Sequence, residues 1–106
     1  MTKVVNLKKE PYDVYIGRFG HGQSGYFGNP IELGKFCQVC KKIHYTAGST
    51  LDCYKEYFYN RLNTDKTFQA KVLALKGKTL GCFCKPKPCH GDIIIEWIEN
   101  ETTNND

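Results

Sequence analysis

Two periods govern where the apolar residues of this chain fall. Lys3 to Leu7 and Asp13 to Ile16 are short runs rich in β-branched residues, and they predict two strands with Lys8 to Pro11 as the turn between them. Leu51, Tyr54, Phe58 and Leu62 recur at helical spacing, and Ser49 or Thr50 is the N-cap of the helix they predict through Leu62. Thr64 or Asp65 caps a second helix, in which Phe68, Val72 and Leu75 line up before Gly77 stops it. Thr79 to Cys84 is a compact apolar run between a glycine and a proline, the pattern of a buried strand. Two prolines between Lys85 and Pro88 remove donors and end it. Ile94, Trp97 and Ile98 then share one face of a last helix beginning near Pro88 or Cys89.

Between these periodic stretches lie two that have none. Residues 17–30 carry Gly17, Gly20, Gly22, Gly25 and Gly28, which indicates a loop that bends sharply or approaches a ligand closely. Residues 31–48 hold the first cysteine pair and read as an irregular, metal-tied insertion. The resulting order, β-β-loop-α-α-β-α, predicts an α/β fold. It is a small Rossmann-like layered arrangement, with a three- or four-stranded sheet packed with about three helices. The G-x-G-x-x-G fingerprint is absent, so the analogy holds at fold level only. The expected domain spans 1–98, with 31–53 as a zinc-binding insertion and 99–106 as a polar, frayed tail.

Composition narrows this picture. The chain has 106 residues, enough for a single modest core. No apolar run reaches membrane-spanning length, and the N-terminus shows no apolar signal region, so a cytoplasmic protein is expected. The formal charge of +4 favours an anionic ligand but is too weak for a general nucleic-acid signature. Six cysteines would mean disulfides in a secreted chain. With no export signal, and with the spacing Cys37-x-x-Cys40, metal or thiol chemistry is the better reading.

Cys37, Cys40 and His44 place three soft or borderline ligands close together, and Cys53 in the first turn of the next helix is within reach as a fourth. A structural zinc ion on these four would tie down a loop with little core of its own. The cysteines also divide another way, with Cys37 and Cys40 joined by two of Cys82, Cys84 and Cys89. Cys53 as a plain buried helix residue is the bland alternative, and Cys82 reads as core packing.

The other candidate site is the turn from the last strand into the last helix, where backbone N–H groups and the helix dipole converge. Cys84 ends the strand, and Cys89, His90, Gly91 and Asp92 open the helix. His90 is read as a ligand contact and Asp92 as a contact to ribose or base, with an acid–base role for either left open. A nucleophilic Cys89 is the weaker reading, because neighbours on a helix do not face one atom. Arg18 is the candidate clamp for phosphate or carboxylate, and Gly28 with Asn29 the facing loop.

Taken together, Ile-Gly-Arg at 16–18, Gly-Asn-Pro at 28–30 and Leu-Lys-Gly-Lys-Thr-Leu-Gly-Cys-Phe-Cys-Lys-Pro-Lys-Pro-Cys-His-Gly-Asp at 75–92 closely resemble the family catalogued as domain of unknown function 4326. The resemblance covers nearly the whole chain. It implies a phage- or bacteria-like protein of the cytosol (the host cytoplasm if phage-encoded), and it brings no activity with it. It also implies that the Cys37–Cys53 region is a variant insertion, so that any zinc there is structural.

The functional expectation is a pocket for a nucleotide, nucleoside or related phosphorylated small molecule, formed by the Gly-Arg/Gly-Asn-Pro loop and the Cys-His-Gly-Asp turn, which sequesters or hydrolyses its ligand. The competing expectation is a zinc-stabilised module for nucleic acid or a host protein, with Lys35, Lys41, Lys42, Lys85 and Lys87 as its surface. Those lysines are scattered, which weighs against it.

Overall fold

The central strand of the sheet is the last one in the chain. In the computed structural model, which describes residues 2–20, 22–46, 48–83, 85 and 89–104, β3 (Thr79–Cys82) lies between β1 (Lys3–Asn6) and β2 (Val14–Tyr15). All pairing is parallel, with Val4 and Val14 both opposite Leu80 and with Val5 and Tyr15 both opposite Gly81. The segment 7–13 is therefore a crossover from the end of one edge strand to the start of the other. It passes over β3, where any side chain at residue 81 would meet the Tyr12 ring within 2.6 Å, so only glycine leaves room. Asp13 anchors its far end: its N–H donates to the Thr79 carbonyl at 2.8 Å and its carboxylate accepts the Thr79 N–H at 2.9 Å.

Three helices complete the α/β fold: α1 (Leu51–Thr64), α2 (Lys66–Leu73) and α3 (His90–Asn104). The helical stripes read from the sequence are the ones buried. Tyr54, Phe58 and Leu62 of α1, Phe68 and Val72 of α2, and Ile94 and Ile98 of α3 meet Ile16, Leu80 and Cys82 in one core. Each large side chain so buried stabilises the fold by about 1.5–3 kcal/mol. Asp65 caps α2 by accepting the Phe68 N–H at 3.0 Å, as predicted. Gly77 takes φ +82° just beyond that helix, where an L side chain would be strained.

Two helix boundaries move. α2 ends at Leu73, short of the Leu75 that the period placed in it, and α3 continues to Asn104, beyond the Glu99 limit set by the apolar pattern. Extending a formed helix adds one hydrogen bond per residue, so polar residues prolong it. No helix among the described residues is long and apolar enough to cross a membrane.

Candidate functional site

The insertion has almost no core of its own. Ile31, Cys37 and Cys53, with Val39 against them, form a small separate cluster, while Leu33, Phe36, Ile43 and Tyr45 are exposed. Its backbone makes a tight reversal instead. Phe36 and Ile43 form an isolated bridge, Cys37 N–H donates to the Lys42 carbonyl at 2.8 Å, and Lys41 N–H donates to the Cys37 carbonyl at 2.9 Å. Lys41 completes the turn at φ +63°.

That reversal brings four donors together. His44 Nε2 is 3.4 Å from Cys40 Sγ and 3.5 Å from Cys53 Sγ, and the donor atoms of Cys37, Cys40, His44 and Cys53 all lie within 4.8 Å of one another. These four residues could hold a metal ion. Burial raises the pKa of Cys37, but N–H groups of Cys40 and Val39 and the side chains of His44 and Cys40 outweigh it and bring the thiol down to about 6. Cys53 goes the other way: burial, then hydrogen bonds to Cys37 and Cys40, push it up to about 12. Crowded thiols without a cation cannot all ionise, and a dication removes that conflict. Among the described residues Cys37 and Cys40 group with His44 and Cys53, and not with Cys82 or Cys89.

The second site is a pocket of about 780 Å³ beside the C-terminal end of β3, in the size range of small-molecule sites. Gly17, Arg18, Asn29, Cys89 and His90 line it, which joins the loop after β2 to the start of α3. The Arg18 guanidinium is braced from behind: Nη1 donates to the carbonyl of Asn29 at 2.6 Å and also to that of Ile31. Among the described residues its Nε and Nη2 make no hydrogen bond, so part of the fork remains for a ligand. Asn29 has its amide engaged elsewhere. Its Nδ2 donates to Thr50 Oγ1 at 2.9 Å and its Oδ1 accepts the Ile31 N–H at 2.9 Å. The loop is thereby tied to the start of α1, and the Thr50 hydroxyl serves that tie instead of capping its own helix. Gly28 is outside the pocket lining, pressed on Gly17 and Arg18, where a Cβ would collide with the Gly17 carbonyl.

At the other wall, Cys89 stands at the N-cap position of α3. Its Sγ accepts the Gly91 N–H at 3.1 Å, and its own N–H donates to Asp92 Oδ2 at 3.1 Å. The Asp92 bond is the return half of a capping box, while the sulfur caps the second helical N–H in place of the third. Asp92 also pairs with Lys85. Both its oxygens therefore serve the turn, and neither Asp92 nor Gly91 lines the pocket. Gly91 is needed for packing, since a Cβ there would come within 2.7 Å of Ile16 Cδ1 and 3.0 Å of Val4 Cγ2. His90 donates its Nε2–H to the Ile16 carbonyl, and burial lowers its pKa. With Nε2–H so donated, the neutral form of the ring carries its lone pair on Nδ1. Cys84 lies outside the described residues.

Several pocket residues were not singled out from the sequence. Lys8, Tyr15, Phe19 and Phe83 line it, Phe19 being 85 % exposed. Tyr15 and Phe83 meet edge to face at 6.2 Å, and the Lys8 ammonium lies 5.6 Å from the Phe83 ring. A phenylalanine directly after Arg18 in a glycine loop was the available signal. Leu33 and Gly48 of the insertion and Thr50 at its end also reach the pocket, so the segment with the four donors forms part of its wall. Of the lysines in the competing surface, Lys35 pairs with Glu32 at 3.3 Å and Lys85 with Asp92, while Lys87 lies outside the described residues.

Comparison with known proteins agrees with this layout in extent. The pattern of the family described as Domain of unknown function (DUF4326) matches residues 2–100. The chain is also 36% identical over 101 residues to the "Uncharacterized 12.4 kDa protein in nrdA-td intergenic region" of Enterobacteria phage T4, covering 92% of this chain and 78% of that relative. No solved structure matches the chain.

Proposed function

The chain belongs to the DUF4326 family, and from that premise we propose that it binds an anionic, nucleotide-like small molecule in the pocket between Arg18 and the start of α3. The observation that carries this reading is the braced Arg18. Two backbone carbonyls hold one end of its guanidinium at the rim, and the remaining N–H groups are oriented without further ordering cost. Lys8 adds a second positive charge on the same pocket, and Tyr15, Phe19 and Phe83 supply aromatic surface for a base. Binding, with sequestration as its consequence, is favoured over hydrolysis by Asp92, because that carboxylate is occupied by Lys85 and by the Cys89 N–H.

Calorimetry with nucleoside monophosphates of the four bases tests the reading. Charge-assisted hydrogen bonds contribute roughly 1.5–3 kcal/mol. Arg18→Ala should therefore weaken binding by about ten- to a hundredfold, with the fold intact by circular dichroism. Unchanged affinity in a folded Arg18→Ala protein removes the pocket from consideration.

The ion of the insertion is proposed to be zinc, in a closed structural shell of Cys37, Cys40, His44 and Cys53. Tetrahedral zinc with bonds of about 2.3 Å to sulfur and about 2.0 Å to nitrogen puts S and N roughly 3.5 Å apart. The two S···N separations of 3.4 and 3.5 Å match that edge, and a single nitrogen set between two sulfurs suits a shared ion better than a lone thiol hydrogen bond.

A macromolecular partner for the insertion is the second reading, supported by the exposed Phe36, Ile43 and Tyr45 beside Lys41 and Lys42. Single-stranded nucleic acid would then bind with a salt dependence that flattens on removing those lysines. Salt-independent or absent binding excludes it.

A further inference from the structure

Three donors on the pocket wall remain unused by the ligand reading. Cys82 Sγ, at the end of β3, lies 3.1 Å from Cys89 Sγ at the start of α3. These two sulfurs and a ring nitrogen of His90 all fall within 4.8 Å of one another. Each of the three residues is buried in the body of the protein, and each also lines the pocket.

Their hydrogen bonds are those of metal ligands. His90 donates Nε2–H to the Ile16 carbonyl, which leaves Nδ1 as the nitrogen able to bind a cation. An imidazole on a metal almost always gives its other N–H to a carbonyl or carboxylate in this way, which sets its tautomer and ring orientation. Cys89 Sγ accepts the Gly91 N–H at the first turn of a 15-residue helix, which fixes the sulfur beside Cys82. Ordinary core packing of two thiols requires neither feature.

We propose that Cys82, Cys89 and His90 take part in a second metal site, separate from the insertion, that holds a borderline divalent cation such as zinc beside the pocket. Sulfur and imidazole nitrogen are the donors that zinc prefers. Two thiolates on tetrahedral zinc stand about 3.8 Å apart, so Cys82 and Cys89 separate by roughly 0.7 Å as the ion enters. The proposal does not depend on which ligand the pocket takes, because metal content is measured without one.

The test is metal stoichiometry of the full chain, purified reduced and with zinc supplied, by native mass spectrometry and elemental analysis. Two ions per chain are expected for the wild type, and one each for Cys37→Ser and Cys89→Ser. Cobalt replaces zinc as a spectroscopic probe. The sulfur-to-cobalt charge-transfer band should lose the contribution of one ion on Cys89→Ser and that of the other on Cys37→Ser. A wild type with a single ion overturns the proposal, as does a second ion that survives in folded Cys82→Ala, Cys89→Ser and His90→Ala proteins. Should those variants fail to fold, the wild-type count and the cobalt titration decide between one site and two.

Discussion

Gly28 and Arg18 carry one contact between them, and it reads differently from each end. From the sequence, Gly28 in Gly-Asn-Pro looks like a place for a ligand to approach. In the folded chain the approaching group is the backbone of Gly17 and Arg18, and a Cβ on residue 28 would collide with the Gly17 carbonyl and lie 2.9 Å from Arg18 Cα. Backbone cannot yield as a flexible side chain can, so Gly28→Ala should cost about 1–3 kcal/mol in urea unfolding. Nucleotide binding should weaken with it, because Arg18 moves. Wild-type stability in this variant would mean that the two loops are not packed as described. Arg18→Lys keeps the charge but loses the planar fork held by the Asn29 and Ile31 carbonyls. Its nucleotide affinity should fall nearly as far as that of Arg18→Ala, and recovery by lysine would show that charge alone suffices. Asn29 reads as a ligand contact for the same local reason as Gly28. Only the position of Thr50, far away in sequence, gives its amide another partner.

At the scale of elements, the helices were legible and the sheet order was not. Period and capping residues are local, so α1, α2 and the start of α3 follow from neighbours along the chain. Asp65→Ala removes the bond to the Phe68 N–H and should destabilise the protein by about 1 kcal/mol, read as a lower urea midpoint at unchanged slope. A silent substitution would show that α2 is held by packing alone. Tyr54 has a role that no period reveals: its buried hydroxyl donates to the Phe27 carbonyl at 3.0 Å and so ties α1 to the glycine loop. Tyr54→Phe leaves that carbonyl without this donor, for a cost of roughly 1–2 kcal/mol. An unchanged midpoint would assign Tyr54 to packing only. The pairing of β1 and β2 on either side of β3 joins residues more than sixty positions apart, and nothing in two short apolar runs specifies it.

At the scale of the whole molecule, the insertion, whose four donors could hold a metal ion, and the pocket share a wall. Leu33, Gly48 and Thr50 line the pocket, and Cys53 joins the insertion to α1. The central core is built from Ile16, Leu80 and the three helices and does not include the insertion cluster. Chelation should therefore act in two stages. Amide exchange across 31–48 should accelerate strongly while β1, β3 and the middle of α1 stay protected, and nucleotide binding should fall with the loss of the wall. Uniform loss of protection would make the insertion part of the global folding unit. Unchanged protection after complete metal removal would mean that no ion holds it.

What the sequence determined by itself is the kind of fold, the three helices, and Cys37, Cys40, His44 and Cys53 as one of two possible groupings of the cysteines, which the structure then selected among the described residues. These rest on short-range relations: a period, a cap, a spacing of a few residues, a turn into a helix. Tertiary structure decided the order of the strands, the internal duties of Gly28, Asn29 and Asp92, the entry of Lys8, Tyr15 and Phe83 into the pocket, and the meeting of Cys82 with Cys89. Each of these depends on which distant backbone or side chain arrives opposite. That is set by how the three helices and the crossover segment 7–13 pack around β3, a property of the folded chain as a whole.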